Sequence, residues 1–247
     1  RVGRCRPPTP YRPRWAAAAV GAMVAAFAGF FSVWSLRRHE NFFTARFDLG
    51  NMTQAVWSAA QGNLLISTDG VGEQVSRLGG HVEPVLFLFG GLWHLWSSPQ
   101  MLLVVQAAAV ATAAIPTYLL ARRWVGDLTI SLAFAAAALL LPALQWATLF
   151  DFHPVTLAAP ALLWAIWAAA SERNVVLAVS LILAMSTKEQ VGLTVCILGV
   201  WIAYSLGRRR AGAVVAAAGF VWSAVAIGVV MPHYRSGTAA TVVQDRY

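Results

Sequence analysis

Residues 84–121 read PVLFLFGGLWHLWSSPQMLLVVQAAAVATAAIPTYLLA, 38 positions without one Asp, Glu, Lys or Arg. At 1.5 Å per residue this run would make about 57 Å of helix, while roughly 30 Å of hydrocarbon takes about 20 mostly apolar residues to cross. Ser97-Ser98-Pro99 interrupts the run, because the residue before a proline is pushed out of the helical region. The part before the break, 84–96, would make about 20 Å of helix and fall short of the membrane. The spacing predicts a short helix over 84–96 and one span over 101–121, with two full crossings as the rival reading.

Working outward, the runs 15–36, 128–150, 152–171, 174–187, 190–207 and 211–234 are also free of those four residues. Across 247 residues, 59% are hydrophobic and 11% charged, against about 25% charged in a soluble domain. This excludes a conventional soluble enzyme and predicts an all-α, polytopic transmembrane bundle. The net charge of +8 sits in short arginine clusters beside apolar runs, where retention on the cytoplasmic side accounts for it without a nucleic-acid partner. Cys5 and Cys196 are too far apart in character, one in the basic tail and one in an apolar run, to suggest a disulfide or thiolate metal site.

Segment 1–14 is a basic, proline-rich tail expected in the cytoplasm, followed by one transmembrane domain over 15–247 with an external loop at 37–83. The start at Arg1 and the stop at Tyr247, in a polar stretch, are read as a chain truncated at its C-terminus. Arg122–Arg123, Glu172–Arg173 and Arg208–Arg210 mark cytoplasmic turns on this scheme. Asp151–His153 and Lys188–Glu189 are then external or at the membrane edge. Seven of the ten acidic residues fall on that outer side, so chemistry belongs there.

Four constellations carry the candidates. In the first, Arg46-Phe47-Asp48 precedes Leu49, Met52, Val56 and Ala60, whose three-four-four spacing predicts an amphipathic surface helix over 49–61. Asp48 would either cap that helix or present a carboxylate at the membrane–water boundary. The second and third, His81-Val82-Glu83-Pro84 and Asp151-Phe152-His153-Pro154, each place an acid and an imidazole at the start of an apolar segment. Both are open to a capping role and to binding a divalent cation, magnesium or manganese, or a phosphate-bearing ligand. The fourth is Lys188-Glu189, a local ion pair or a phosphate-neutralising cation beside a carboxylate.

Phe47-Asp48-Leu49-Gly50-Asn51, Gln54-Ala55-Val56-Trp57, His81-Val82-Glu83-Pro84, Gln106, Tyr118-Leu119-Leu120-Ala121-Arg122, Asp151-Phe152-His153-Pro154 and Thr187-Lys188-Glu189 together resemble the bacterial membrane family called domain of unknown function 2079. The layout is also similar to the GT-C class of membrane glycosyltransferases, which take a sugar from a polyprenyl-phosphate donor. That resemblance implies a multi-pass protein of the bacterial plasma membrane with a cytoplasmic N-terminus, membrane lipids as partners, and transfer at the outer face. It implies Asp48 as general base, with Glu83 and Asp151 as further candidate catalytic acids. Arg46, His81, His153, Lys188 and Glu189 are the candidate substrate-binding groups. These side chains are expected to converge on one cavity. A transporter or lipid-handling protein, and a non-catalytic assembly protein, are the alternatives.

Overall fold

The computed structural model describes residues 14–235; the rest of the basic tail, residues 236–247 and the side chain of Arg46 lie outside the described residues. In chain order, α1 (Arg14–Glu40) is followed by a π-helical turn (Arg46–Gly50), α2 (Asn51–Ala60), a hairpin of β1 (Ile66–Thr68) and β2 (Gln74–Ser76), and a 3-10 turn (Arg77–Gly79). Then come α3 (Val85–Trp93), α4 (Pro99–Ala111), α5 (Ala114–Trp124), α6 (Leu128–Leu140) and α7 (Pro142–Leu149). A 3-10 turn (Pro154–Leu157) leads into α8 (Ala158–Ala170), α9 (Asn174–Met185), α10 (Val191–Ser205), α11 (Arg209–Val225), a second π-helical turn (Ala226–Val230) and α12 (Met231–Tyr234).

Among the described residues three continuous helices are long and apolar enough to cross a membrane: Arg14–Glu40, Pro99–Trp124 and Arg209–Tyr234. A fourth candidate is the α6–α7 pair, bent by 43° where Pro142 removes a backbone donor and ends the preceding turn. Large apolar side chains such as Phe30, Ile182, Ile197, Val214 and Phe220 point outward, the inverse of a soluble surface and the arrangement of helices in lipid. The protein is a multi-pass membrane bundle. The interrupted run resolves as one long helix preceded by the nine-residue α3. Ser98, whose Oγ accepts from the Gln100 N–H at 3.2 Å, caps the start of α4.

The tightest packing is between α10 and α11. A Cβ on Gly199 would strike the backbone of Gly212 and Ala216, and one on Gly192 the carbonyl of Gly219. Gly212 and Gly219 face α10 at equally short range, so the two backbones meet through a seam of four glycines, the small-residue contact on which membrane helices rely.

The bundle has two chemically distinct ends. At one, Arg208 Nη1 donates to the Ala169 carbonyl at 2.9 Å and Nη2 to Asn174 Oδ1, tying the 171–174 and 207–209 turns together. At the other gather the 37–83 segment, the 150–153 turn and the 186–190 corner. Val85 N–H donates to the Ser186 carbonyl at 2.9 Å, while His39 and Pro99 line one groove and so bring the end of α1 to the start of α4.

The structure adds detail to the sequence reading at the first acidic constellation and over residues 66–76. The helix at the first acidic constellation spans Asn51–Ala60, and its apolar residues Met52, Ala55 and Val56, with Leu49 before it, are buried against Val82, Val85, Leu86 and Phe89 of the bundle. Gly50 occupies its N-cap position and no side chain caps it, which corrects the capping role considered for Asp48: the π-helical turn already supplies carbonyls to those N–H groups, as Gly50 N–H to Ala45 at 3.3 Å shows. The β1–β2 hairpin was not expected at all.

Candidate functional site

The candidate residues assemble as two groups at the acidic end. Asp48 and His153 form the first. Asp48, on the π-helical turn, places Oδ1 3.4 Å from His153 Nε2, and both side chains are partly exposed, at 34% and 27%. The His153 ring is held from behind by its own turn, with Nδ1 3.1 Å from the Phe150 carbonyl, and it stacks on the Phe150 ring. Both ring nitrogens therefore face oxygen atoms, which fixes the orientation of the ring.

Two further side chains fix this pair. Asp151 is buried and Oδ2 accepts the Ala45 N–H at 2.8 Å, joining the 150–153 turn to the chain just before Asp48. Its φ of 43° puts it in the left-handed region, which Asp tolerates better than most residues. Gln106, fully buried in α4, donates from Nε2 to the carbonyls of Thr148 (3.1 Å) and Asp151 (2.6 Å), and its Oε1 accepts the His153 N–H at 2.9 Å. One amide thus satisfies three backbone groups of the turn that carries His153. Sequence reading quoted Gln106 without a role; the available signal was a single amide in an apolar helix, which must find partners to be buried.

The second group lies across the bundle's apolar core. Glu83 is buried and its Oε2 accepts from Arg77 Nε at 2.6 Å. Glu189, 5% exposed, takes His81 Nδ1 at 3.2 Å on Oε1 and the Val82 N–H at 3.0 Å on Oε2, while its backbone carbonyl accepts from Ser223 Oγ at 2.7 Å. Burial alone would raise the Glu189 pKa. The hydrogen bonds and charge of His81, together with backbone N–H groups, outweigh it and hold the carboxyl below the usual 4.5. Arg77 was missed as a partner because nothing in its local sequence distinguishes it from a loop cation.

Among the described residues no hydrogen bond or ion pair links the two groups. Both border the same apolar cluster, the first through Phe152 and the second through Val82. Phe152 is fully buried and packs edge-on against Phe89 at 5.0 Å. Lys188 is half-buried at the same end, and its side chain has no hydrogen bond or ion pair with a described residue. Glu83 and Glu189 are committed to Arg77 and His81, and no three His, Cys, Asp or Glu side chains gather as a metal ligand set among the described residues.

Beside Asp48 an open groove of about 580 Å³ runs along α2, lined by its neighbours Leu49 and Gly50 and by Thr53, Gln54, Trp57 and Trp93 among others. The combination of two indole faces with hydroxyl and amide groups suits a ligand having both apolar faces and many hydroxyls.

The model of the family described as Predicted membrane protein (DUF2079) matches residues 38–247, the greater part of the chain, including every candidate residue above. No curated protein and no solved structure is a significant match. The likeness to GT-C enzymes therefore rests on the motifs of the sequence alone.

Proposed function

We propose that this chain, which belongs to the DUF2079 family of predicted membrane proteins, is a glycosyltransferase of the outer membrane face that moves a sugar from a polyprenyl-phosphate donor to a hydroxyl acceptor. The observation that carries the reading is the Asp48–His153 pair: a partly exposed carboxylate, free of any capping duty, next in the chain to Leu49 and Gly50, which line a groove with two indoles. A membrane protein with few ionisable groups keeps a carboxylate near the lipid boundary at a cost that a function offsets.

In the reaction the acceptor oxygen attacks the anomeric carbon, the bond from that carbon to the phosphate oxygen breaks, and its electron pair leaves with the lipid phosphate. Asp48 takes the acceptor's proton. A single displacement of this kind inverts the anomeric configuration. The groove orients the sugar through Trp57 and Trp93, and His153 holds the Asp48 carboxylate in one direction. Lys188, on the same end of the bundle, offers an uncommitted cation for the departing phosphate. Glu83 and Asp151 act as positioning residues, since each is buried and already bonded. Among the described residues no three His, Cys, Asp or Glu side chains gather as ligands for a magnesium or manganese ion.

The test is to extract lipids from membranes of a strain lacking the gene. The reading expects a lipid-linked sugar to accumulate and to disappear when the wild-type chain, but not Asp48→Asn, is restored. Absence of any accumulated lipid-linked sugar, or clearance by both chains, would shift the assignment to transport or assembly.

A further inference from the structure

A second, smaller cavity of about 200 Å³ lies between the β1–β2 hairpin, the 77–81 turn and the end of the last helix. Three cationic or donor side chains line it, and each is anchored by one nitrogen: Arg77 through Nε on Glu83 (2.6 Å), His81 through Nδ1 on Glu189 (3.2 Å) and Arg235 through Nε on the Gly79 carbonyl (3.3 Å). A guanidinium carries five N–H donors and an imidazole two nitrogens. The anchors thus leave the Nη groups of both arginines and Nε2 of His81 without a partner among the described residues. Ser67, on the inner face of β1, is only 5% exposed, lines the same cavity, and its Oγ has no hydrogen-bond partner among the described residues.

The walls are fixed in place. A Cβ on Gly79 would lie 2.6 Å from the Tyr234 carbonyl, so only glycine lets the last helix close the back of the cavity. Asp69 also lines the space, but its Oδ1 accepts the N–H groups of Val71 (2.9 Å) and Glu73 (2.8 Å), which directs that oxygen into its own turn. Glu83 and Glu189 hold Arg77 and His81 from behind, while Arg235, anchored on a backbone carbonyl, has no carboxylate partner among the described residues.

We infer that this cavity binds a phosphate group. Guanidinium forks, an imidazole and a hydroxyl approach from three elements, which matches the tetrahedral spread of phosphate oxygens better than the two oxygens of a planar carboxylate. The inference goes beyond the transferase reading, since it requires only that phosphate be bound and stands if no sugar is transferred. The phosphate belongs to a lipid headgroup or to a soluble phosphate ester; the chemistry recognised is the same.

The experiment uses the full chain, purified in detergent for titration with inorganic phosphate, and in nanodiscs of phosphatidylcholine for titration with a polyprenyl monophosphate. Wild type should bind and gain thermal stability. Arg235→Gln, which leaves the Arg77 and His81 pairs intact, should weaken binding about 10-fold or more, as expected for a charge-assisted bond, and Ser67→Ala about 3-fold. Asp48→Asn should bind like wild type, so loss of transfer in that variant is read separately. Displacement of inorganic phosphate by the polyprenyl compound assigns the site to lipid, and binding without displacement assigns it to a soluble ester. Failure of folded wild type to bind either probe, or equal binding by wild type, Arg235→Gln and Ser67→Ala, would overturn the inference.

Discussion

Along α10 and α11 contact is backbone on backbone, through Gly192, Gly199, Gly212 and Gly219. Just beyond the end of that seam, Glu189 is surrounded by His81, the Val82 N–H and Ser223. The first region tolerates no added atom and carries no charge; the second consists of polar groups spent on one another, with a few nitrogens left over. The contrast separates what holds this bundle together from what it has available for chemistry. Dispersion and close approach stabilise the membrane-spanning part, while the paired carboxylates and imidazoles gather at one end of the bundle.

The comparison breaks most completely in the glycine seam. Gly199→Leu should abolish the α10–α11 contact and with it the yield of monodisperse protein in detergent, because the added side chain meets backbone that cannot rotate away. A variant purified in normal yield and with normal melting temperature would show the seam to be looser than described. Next in size is Arg77→Ala, which leaves Glu83 buried without its cation. It should cost about 3–5 kcal/mol, read from denaturation in detergent, and Arg77→Ala/Glu83→Gln should recover part of that loss. Smaller still is the effect of acid. The Glu189 carboxyl is lowered in the folded state, so its contribution is fully present above the ordinary value of 4.5 and is lost as pH falls through the folded value. Melting temperature should therefore drop on acidification, and Glu189→Gln should flatten that limb of the curve; an unchanged limb would remove the pair from the list of stabilising contacts.

The helices were legible because membrane length is a property of composition: the long helices are built on the charge-free runs and extend a few residues past them, and the break at Ser97-Ser98-Pro99 is where α4 begins with Ser98 as its cap. The hairpin was not. Its strands have three residues each, too few for alternation to register, although Asp69-Gly70 is a turn signal and Asp69 does bond its own turn. In the site, residue types were readable and pairings were not. His81 and Glu189 lie 108 positions apart, and nothing local to either reports the other. Phe152 reads as an ordinary apolar residue between two polar ones, and it packs into the core against Phe89. Gln106 shows the converse, a residue whose burial in an apolar helix already demanded the three bonds that it makes.

The central claim is that the Asp48–His153 pair is kept for chemistry while the other polar groups at that end hold the fold. The most direct measurement is the rate of sugar transfer per folded molecule in Asp48→Asn, with melting temperature recorded on the same preparation. The amide has the shape of the carboxylate and Asp48 caps no helix, so the account predicts a melting temperature close to wild type and a transfer rate lowered by about 10²–10⁴-fold through loss of the general base. Full transfer by a normally folded Asp48→Asn, or a loss of rate that only tracks a loss of stability, would contradict it.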